Sequence, residues 1–375
     1  MTAGSADGLH ALAFFGGGSG GHLFPGISIA ERARERFPGS RAVFFRTSRA
    51  VEEKVFAGRG LETVPLRIGA PSGAAGWLRY SLECAEAEPM IRRELARGFD
   101  VAFGLGGYAS LPGILAARIL GIPVVLLEQN AVVGRVNRLL APLASAVACS
   151  FETTSLRFAS RQIVTGNPLR REVIEAVQAA RPVSSAQVKT VLVVGGSQGA
   201  GAINRAVQDA LPRLLEFREN IYWIHVAGDA DKDGMLEAYR KTGWRADVHA
   251  FTPDLPRLMA CSDLVVGRAG GTTLSEIAVL GIPSVLVPYP HHRDQHQLRN
   301  AEAFVRSGGA VLIDEDHLTS ESLLRVLKDV LFAPERLEAM RKSIQALARP
   351  DAADAILNLA VELKQQCPPA FAFSS

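Results

Sequence analysis

An α/β protein built as two facing halves is what this sequence predicts, and three observations carry the expectation. Short apolar runs alternate with helical patterns along all 375 residues, which calls for parallel sheets with ligands at the carboxyl ends of the strands. The strand, glycine turn and helix that open the chain recur in its second half. Between the halves, 179–189 carries Arg181-Pro182 and then Ser184-Ser185-Ala186-Gln187, the composition of a linker.

Taken in order, the first half is expected to hold strands at 11–15, 42–46, 62–66, 101–104, 124–127, 146–149 and 162–164. The second is expected to hold them at 190–194, 221–226, 248–251, 264–266, 284–287 and 310–313. The echo between halves is specific. Val191-Leu192-Val193-Val194-Gly195-Gly196-Ser197-Gln198-Gly199 replays the opening strand and its glycine turn. Asp100 to Gly107 leads through a helix to Gly121-Ile122-Pro123, and Asp263 to Gly271 leads likewise to Gly281-Ile282-Pro283. An N-terminal domain at 1–180 and a C-terminal domain at 189–350 follow, with a helix and tail at 351–375 packing back on the first. Four glycine-rich helix starts are expected to open into one cleft between them.

Composition narrows the class. Hydrophobic residues make up 48% and charged residues 21%, so the chain is globular and long enough for two cores. A net charge of +3 is too mild to imply a nucleic-acid partner. Cys84, Cys149, Cys261 and Cys367 lie far apart with no metal-ligand spacing, as reduced cytosolic thiols do. There is no basic leader, and no apolar run approaches the ~18 residues that span a bilayer, so any membrane contact is expected to be peripheral.

The chemistry begins at Gly16-Gly17-Gly18-Ser19-Gly20-Gly21-His22, between the first strand and a helical pattern at 27–36. Glycines let backbone approach a ligand, and free N–H groups at a helix start attract anions. A loop built only for phosphate has no need of His22, which is a candidate general base; the plain alternative is a loop histidine bonded to backbone. The same glycines satisfy the dinucleotide fingerprint, and Arg46 could serve an NADP phosphate, but that oxidoreductase reading leaves His22 and the second-half motifs without a role.

Those second-half motifs are richer. In Arg268-Ala269-Gly270-Gly271-Thr272-Thr273-Leu274-Ser275-Glu276, the glycines and threonines supply donors for a pyrophosphate, and Glu276 can accept both hydroxyls of a ribose. Arg268 is expected to neutralise phosphate charge; a capped helix with an early glutamate is the bland alternative. After the next strand, Pro288 to Gln297 crowds polar side chains, with Asp294 and Gln297 spaced for sugar hydroxyls. Its three histidines lack a carboxylate cluster, so no metal is expected there. Asp229-Ala230-Asp231 has an Asp-x-Asp form but reads as a helix cap. Glu128-Gln129-Asn130 and Asn167-Pro168-Leu169-Arg170 both follow strands. The segment 67–97 sets Trp77, Leu78 and Tyr80 among five arginines, which suits an anionic membrane surface or a helix with an ordinary core face.

In order and spacing these motifs resemble the MurG family of N-acetylglucosaminyltransferases, from the opening loop to about Gly309. The resemblance rests on Gly-Gly-Ser-Gly-Gly-His, Gly-Gly-Tyr, Glu-Gln-Asn, Gly-Asn-Pro, Gly-Gly-Ser-Gln-Gly-Ala and the Thr-x-Ser-Glu helix start. It implies a GT-B fold of two facing Rossmann-like domains with an interdomain cleft. It also implies transfer from UDP-N-acetylglucosamine to lipid I, undecaprenyl-diphospho-muramoyl-pentapeptide, at the cytoplasmic face of the inner membrane. No cofactor is implied.

Carried over by position, Ser19, Gly20, Gly21, Asn130, Arg170 and Ser197 would touch the donor. Thr252 would pair with uracil through its backbone, and Gly271, Thr272, Thr273, Leu274, Ser275 and Glu276 would hold pyrophosphate and ribose. Gln297 would take the sugar hydroxyls, while Gly106, Gly107, Tyr108 and Gln129 would face the acceptor. His22 is the expected base and Glu128 the reserve. Three departures from the family pattern stand out: Ser19 for threonine, Leu127 for histidine, and His296-Gln297 for a glutamine pair. A UDP-sugar 2-epimerase on the same fold is the competing expectation.

Overall fold

Phenylalanines at the start of the chain show how the first sheet is built. The structure, a computed structural model, describes residues 8–366 apart from 19, 155, 157, 158, 180–187, 197, 198 and 293. Strand β1 (Ala11–Phe15) is central, flanked by β2 (Arg41–Thr47) and β4 (Val101–Gly104). Phe14 stacks on Phe44 at 4.5 Å and on Phe103 at 4.9 Å, and Phe15 stacks on Phe45 at 4.4 Å. Adjacent residues of a strand point to opposite faces, so these rings fill both sides of the sheet. A sheet apolar on both faces must be covered on both.

The other strands are β3 (Glu62–Leu66), β5 (Val124–Glu128), β6 (Ala146–Cys149) and β7 (Gln162–Val164), giving the all-parallel order β3-β2-β1-β4-β5-β6-β7. Between them run α1 (Gly20–Arg36), α2 (Ala50–Phe56), α3 (Gly73–Leu95), α4 (Ser110–Ile119) and α5 (Arg135–Leu140). The second sheet runs β10-β9-β8-β11-β12-β13, also all parallel. Its elements are α6 (Arg171–Gln178), β8 (Lys189–Val194), α7 (Gly201–Ala210), β9 (Ile221–Val226), α8 (Lys232–Thr242), β10 (Ala246–His249), α9 (Leu255–Ala260), β11 (Leu264–Gly267), α10 (Gly271–Leu280), β12 (Ser284–Leu286), α11 (His296–Arg306), β13 (Ala310–Leu312), α12 (Ser320–Leu331) and α13 (Pro334–Gln345).

Two compact units divide the chain: Met1–Arg170 with Pro350–Ser375, and Arg171–Arg349. Helix α14 (Ala352–Gln366) belongs to the first because its apolar stripe, Ile356, Leu357, Leu359, Ala360 and Leu363, shares a core with Leu23, Ile27 and Phe14. Ion pairs of Asp354 with Arg32 (2.9 Å) and of Glu362 with Arg161 (2.7 Å) sit at its rim, where solvent screening leaves them little weight. Apolar burial contributes more, at roughly 1.5–3 kcal/mol per buried leucine or isoleucine.

Several sequence expectations shift here. Helix α6, counted with the first half, packs on α9 and α10 of the second unit. Helix α1 starts at Gly20, upstream of Pro25, so His22 lies on its first turn and not in a loop. Pro25 lies inside the helix, past its first turn, and forgoes the one intrahelical hydrogen bond that its missing N–H would have made. The edge strand β10 ends at His249, two residues before Phe251, whose ring is 71% exposed. Tyr80 is a core residue, whereas Trp77 on the same helix is 49% exposed. The expected linker at 180–187 and tail at 367–375 lie outside the described residues.

Candidate active site

In the first unit the site is assembled where β1 and β4 end side by side. Gly16 N–H donates to Phe45 O (3.3 Å), which carries the chain off the sheet edge. A Cβ at Gly16 would meet Leu105 Cβ at 2.8 Å and Gly106 O at 2.9 Å, so only glycine lets the two loops touch. Gly18 then turns with φ +100°, a left-handed conformation that suits glycine. Helix α1 follows at Gly20, with its N-terminal turn at the mouth of the loop.

His22 is half-buried on that first turn. Its ring lies against Gly106, where a Cβ would stand 3.3 Å from Cδ2 and 3.5 Å from Nε2. Gly107 in turn lies against the opening loop, where a Cβ would stand 3.1 Å from Gly17 O. Arg170 reaches the same helix start, with its guanidinium 5.0 Å from the centre of the Phe24 ring. Tyr108 accepts the Tyr80 hydroxyl at its carbonyl (2.8 Å) and meets the rings of Trp77 and Tyr80 edge-on. Ser19 lies outside the described residues.

Glu128 occupies a different environment. Only 2% exposed, it receives N–H groups of Asn130 (3.1 Å) and Gly134 (2.9 Å) and the amide of Asn137 (3.0 Å). Burial pushes its carboxyl above the ordinary range, and these hydrogen bonds oppose the shift. The side chain thus shapes the turn that carries Asn130. Gln129 is buried too, donating to Leu105 O over a long 3.4 Å.

In the second unit, α10 begins at Gly271 with Gly270 in extended conformation before it. Thr272 and Thr273 are half-buried at the start, and Glu276 is buried on the following turn. Leu274 and Ser275 are absorbed by the helix itself. Leu274 lies in the core with its N–H on Gly270 O (2.9 Å), and the Ser275 hydroxyl donates to Gly271 O (2.9 Å).

Arg268 also departs from expectation. Its guanidinium pairs with Glu315, donates to Val287 O (3.0 Å) and Pro288 O (3.2 Å), and lies 5.4 Å from the centre of the Tyr289 ring. It braces the end of β12 instead of standing ready for phosphate. That brace sets up Gln297, whose Oε1 accepts Tyr289 N–H (3.0 Å), leaving its amide N–H groups as donors. His292 stacks on His296 at 4.3 Å, and His296 Nδ1 contacts Asp294 (2.8 Å). The Thr252 hydroxyl accepts Asp254 N–H (3.1 Å). Ser197 lies outside the described residues.

Three polar residues that the motifs did not single out support these loops. Asn204 on α7 donates to Ala227 O (2.9 Å) and to Asp231 (2.7 Å), so the expected cap residue Asp231 ties the connection after β9 to α7. His225 on β9, fully buried, has Tyr239 Oη 3.0 Å from Nδ1 and Asn204 Oδ1 3.0 Å from Nε2. A neutral ring with its proton on Nε2 satisfies all four groups. Asn137, nine residues past Glu128, is the third. A polar residue within an apolar strand, as His225 is, was the available signal.

Known proteins align with this arrangement along nearly the whole chain. Residues 12–149 match the glycosyltransferase family 28 N-terminal domain, and 190–356 match the glycosyltransferase family 28 C-terminal domain. A UDP-N-acetylglucosamine--N-acetylmuramyl-(pentapeptide) pyrophosphoryl-undecaprenol N-acetylglucosamine transferase of Anaeromyxobacter sp. (strain K) is 41% identical over 352 residues, covering 93% of this chain and 91% of that one. Among solved structures, MurG of Acinetobacter baumannii superposes with a TM-score of 0.77 at 27% identity, covering 94% of this chain and 99% of that one. A putative UDP-N-acetylglucosamine 2-epimerase of Listeria monocytogenes superposes at TM-score 0.67 with 13% identity, covering 98% of this chain and 100% of that one, a likeness of fold alone.

Proposed function

We propose a mechanism on one premise: the chain belongs to the MurG family of glycosyltransferase family 28. It is a UDP-N-acetylglucosamine-dependent N-acetylglucosaminyltransferase of peptidoglycan synthesis, converting lipid I to lipid II. Our reading of the chemistry is a single inverting displacement. The muramoyl 4-hydroxyl of lipid I attacks the anomeric carbon of N-acetylglucosamine as its bond to UDP breaks.

The general base is His22. The observation that carries this is its place on the first turn of α1 against Gly106, at the joint of two glycine loops. A base there takes the proton of the attacking hydroxyl, a role worth roughly two to four powers of ten in rate. Glu128, enclosed by four N–H donors, shapes the turn of Asn130 and takes the base role only in reserve. Gly106, Gly107, Tyr108 and Gln129 line the acceptor side.

UDP is the charge of the second unit. The α10 start, with Thr272 and Thr273, meets the diphosphate, and the helix dipole favours the negative charge that grows as UDP leaves. Glu276 accepts the ribose hydroxyls, Thr252 presents backbone to uracil, and Gln297 donates to the sugar. Arg170 adds positive charge.

The membrane face is on the first unit. Trp77, Leu78 and Leu82 of α3, Ile119 of α4 and Leu139 of α5 are 49–67% exposed, and Arg79, Arg92, Arg118 and Arg138 stand on the same helices. Apolar side chains among arginines suit peripheral binding to an anionic leaflet. No described helix is long and apolar enough to cross a membrane.

Purified protein, UDP-N-acetylglucosamine and a short-chain lipid I are the test. Disaccharide-lipid formation that requires both substrates supports the reading. Epimerised sugar or free UDP formed from the donor alone would replace it with the epimerase.

A further inference from the structure

Beneath the opening glycine loop lies a carboxylate with no part in the displacement itself. Glu52, on the first turn of α2, is fully buried. Its Oε1 accepts Gly18 N–H at 2.6 Å and also the Thr47 hydroxyl from the end of β2. Gly17 rests directly on it, since a Cβ there would stand 2.5 Å from Oε1 and 3.0 Å from Oε2. Oε2 itself is buried without a hydrogen-bond partner among the described residues.

The arrangement runs against the simple picture of an anion cradle. A loop that only gripped phosphate would aim the Gly18 N–H at its ligand, yet this N–H is turned inward onto a negative group. A buried carboxylate with one unused oxygen is costly to keep, so the oxygen that is used must offset that cost through what it holds. What it holds is the backbone of Gly17 and Gly18, the last described residues before α1 and His22.

We propose that Glu52 is a positioning residue: by pinning Gly18 it fixes the start of α1 and so the placement of the His22 imidazole. The kinetic consequence rests on His22 being the base, whereas the structural consequence does not. The ligand then receives N–H groups from Gly20 onward and none from Gly18. A displaced imidazole slows the chemical step while the second unit still binds UDP.

Carbon-13 NMR of histidine-labelled full-length protein reads the imidazole directly, with the His22 signal identified by its loss in His22→Ala. In Glu52→Ala the His22 signal is expected to shift or broaden, turnover to fall at least about tenfold, and UDP affinity to stay within about twofold. Glu52→Gln keeps an acceptor oxygen at the same reach and is expected to restore the signal and most of the turnover. If Glu52→Ala does not fold, Glu52→Asp, one methylene shorter, replaces it with the same expectation. A folded Ala or Asp variant with an unmoved His22 signal overturns the proposal, as does a folded Gln variant displaced as far as Ala. A His22→Ala enzyme with undiminished turnover ends the base assignment alone and leaves the NMR test of Glu52 in force.

Discussion

Each unit hangs a glycine loop on its first strand and braces the region where that loop meets the second strand's connection, but with different chemistry. In the first unit the brace is one buried carboxylate, Glu52, reaching Gly18 and Thr47. In the second it is a neutral chain, Tyr239–His225–Asn204, whose amide spans Ala227 O and Asp231. Gly199 is pressed so close that a Cβ would lie 2.3 Å from Ala227 O. A repeated backbone plan thus leaves the supporting side chains free to differ. The buried carboxylate underlies the loop before His22, and the amide–imidazole–phenol chain underlies the connection after β9 and ends on Asp231.

Proton linkage separates the two units most strongly. Burial pushes His225 down to about 4 from an ordinary 6.5, with Asp231 opposing in part. Between those values the folded unit binds fewer protons than the unfolded chain. Its contribution is full above 6.5 and is lost as pH falls toward 4, to the extent of roughly 3 kcal/mol. Glu128 in the first unit has the opposite sign: raised by burial, it favours folding most below its ordinary 4.5 and less as pH rises through the folded value. Urea unfolding at stepped pH is expected to show the second unit weakening from pH 7 to 5, with His225→Gln flattening the slope. An unchanged slope in that variant would place the titration elsewhere.

Donor affinity sharpens the contrast next. Glu276→Ala is expected to weaken UDP binding about tenfold to a hundredfold, the scale of charged hydrogen bonds to two hydroxyls. Calorimetry that finds unaltered UDP affinity would remove the ribose assignment. A smaller effect is expected at the surface. Leu78→Ser should reduce binding to anionic vesicles about threefold to tenfold with turnover on a soluble acceptor unchanged. Equal binding to anionic and neutral vesicles would move the membrane face.

How much of this is legible in the sequence depends on what kind of residue carries it. Apolar runs place the strands because buried parallel strands are continuous in chain and composition, as at 11–15 and 221–226. Edge strand β10, partly exposed, carries a weaker pattern and ends two residues earlier than that pattern suggests. The glycine loops and the α10 start are readable because their geometry demands particular residues in sequence. Arg268 defeats the motif because nothing local reveals that Glu315, forty-seven positions on, pairs with it. Glu52 is invisible for the same reason: its partners Gly18 and Thr47 come together only when β1 and β2 lie side by side.

The division of labour between the units has one direct test, a paired measurement on His22→Ala of turnover and of UDP affinity by calorimetry. Turnover at least about a hundredfold lower with UDP affinity within about twofold of the unaltered chain is the predicted result. Undiminished turnover, or an affinity loss as large as the turnover loss, would contradict it.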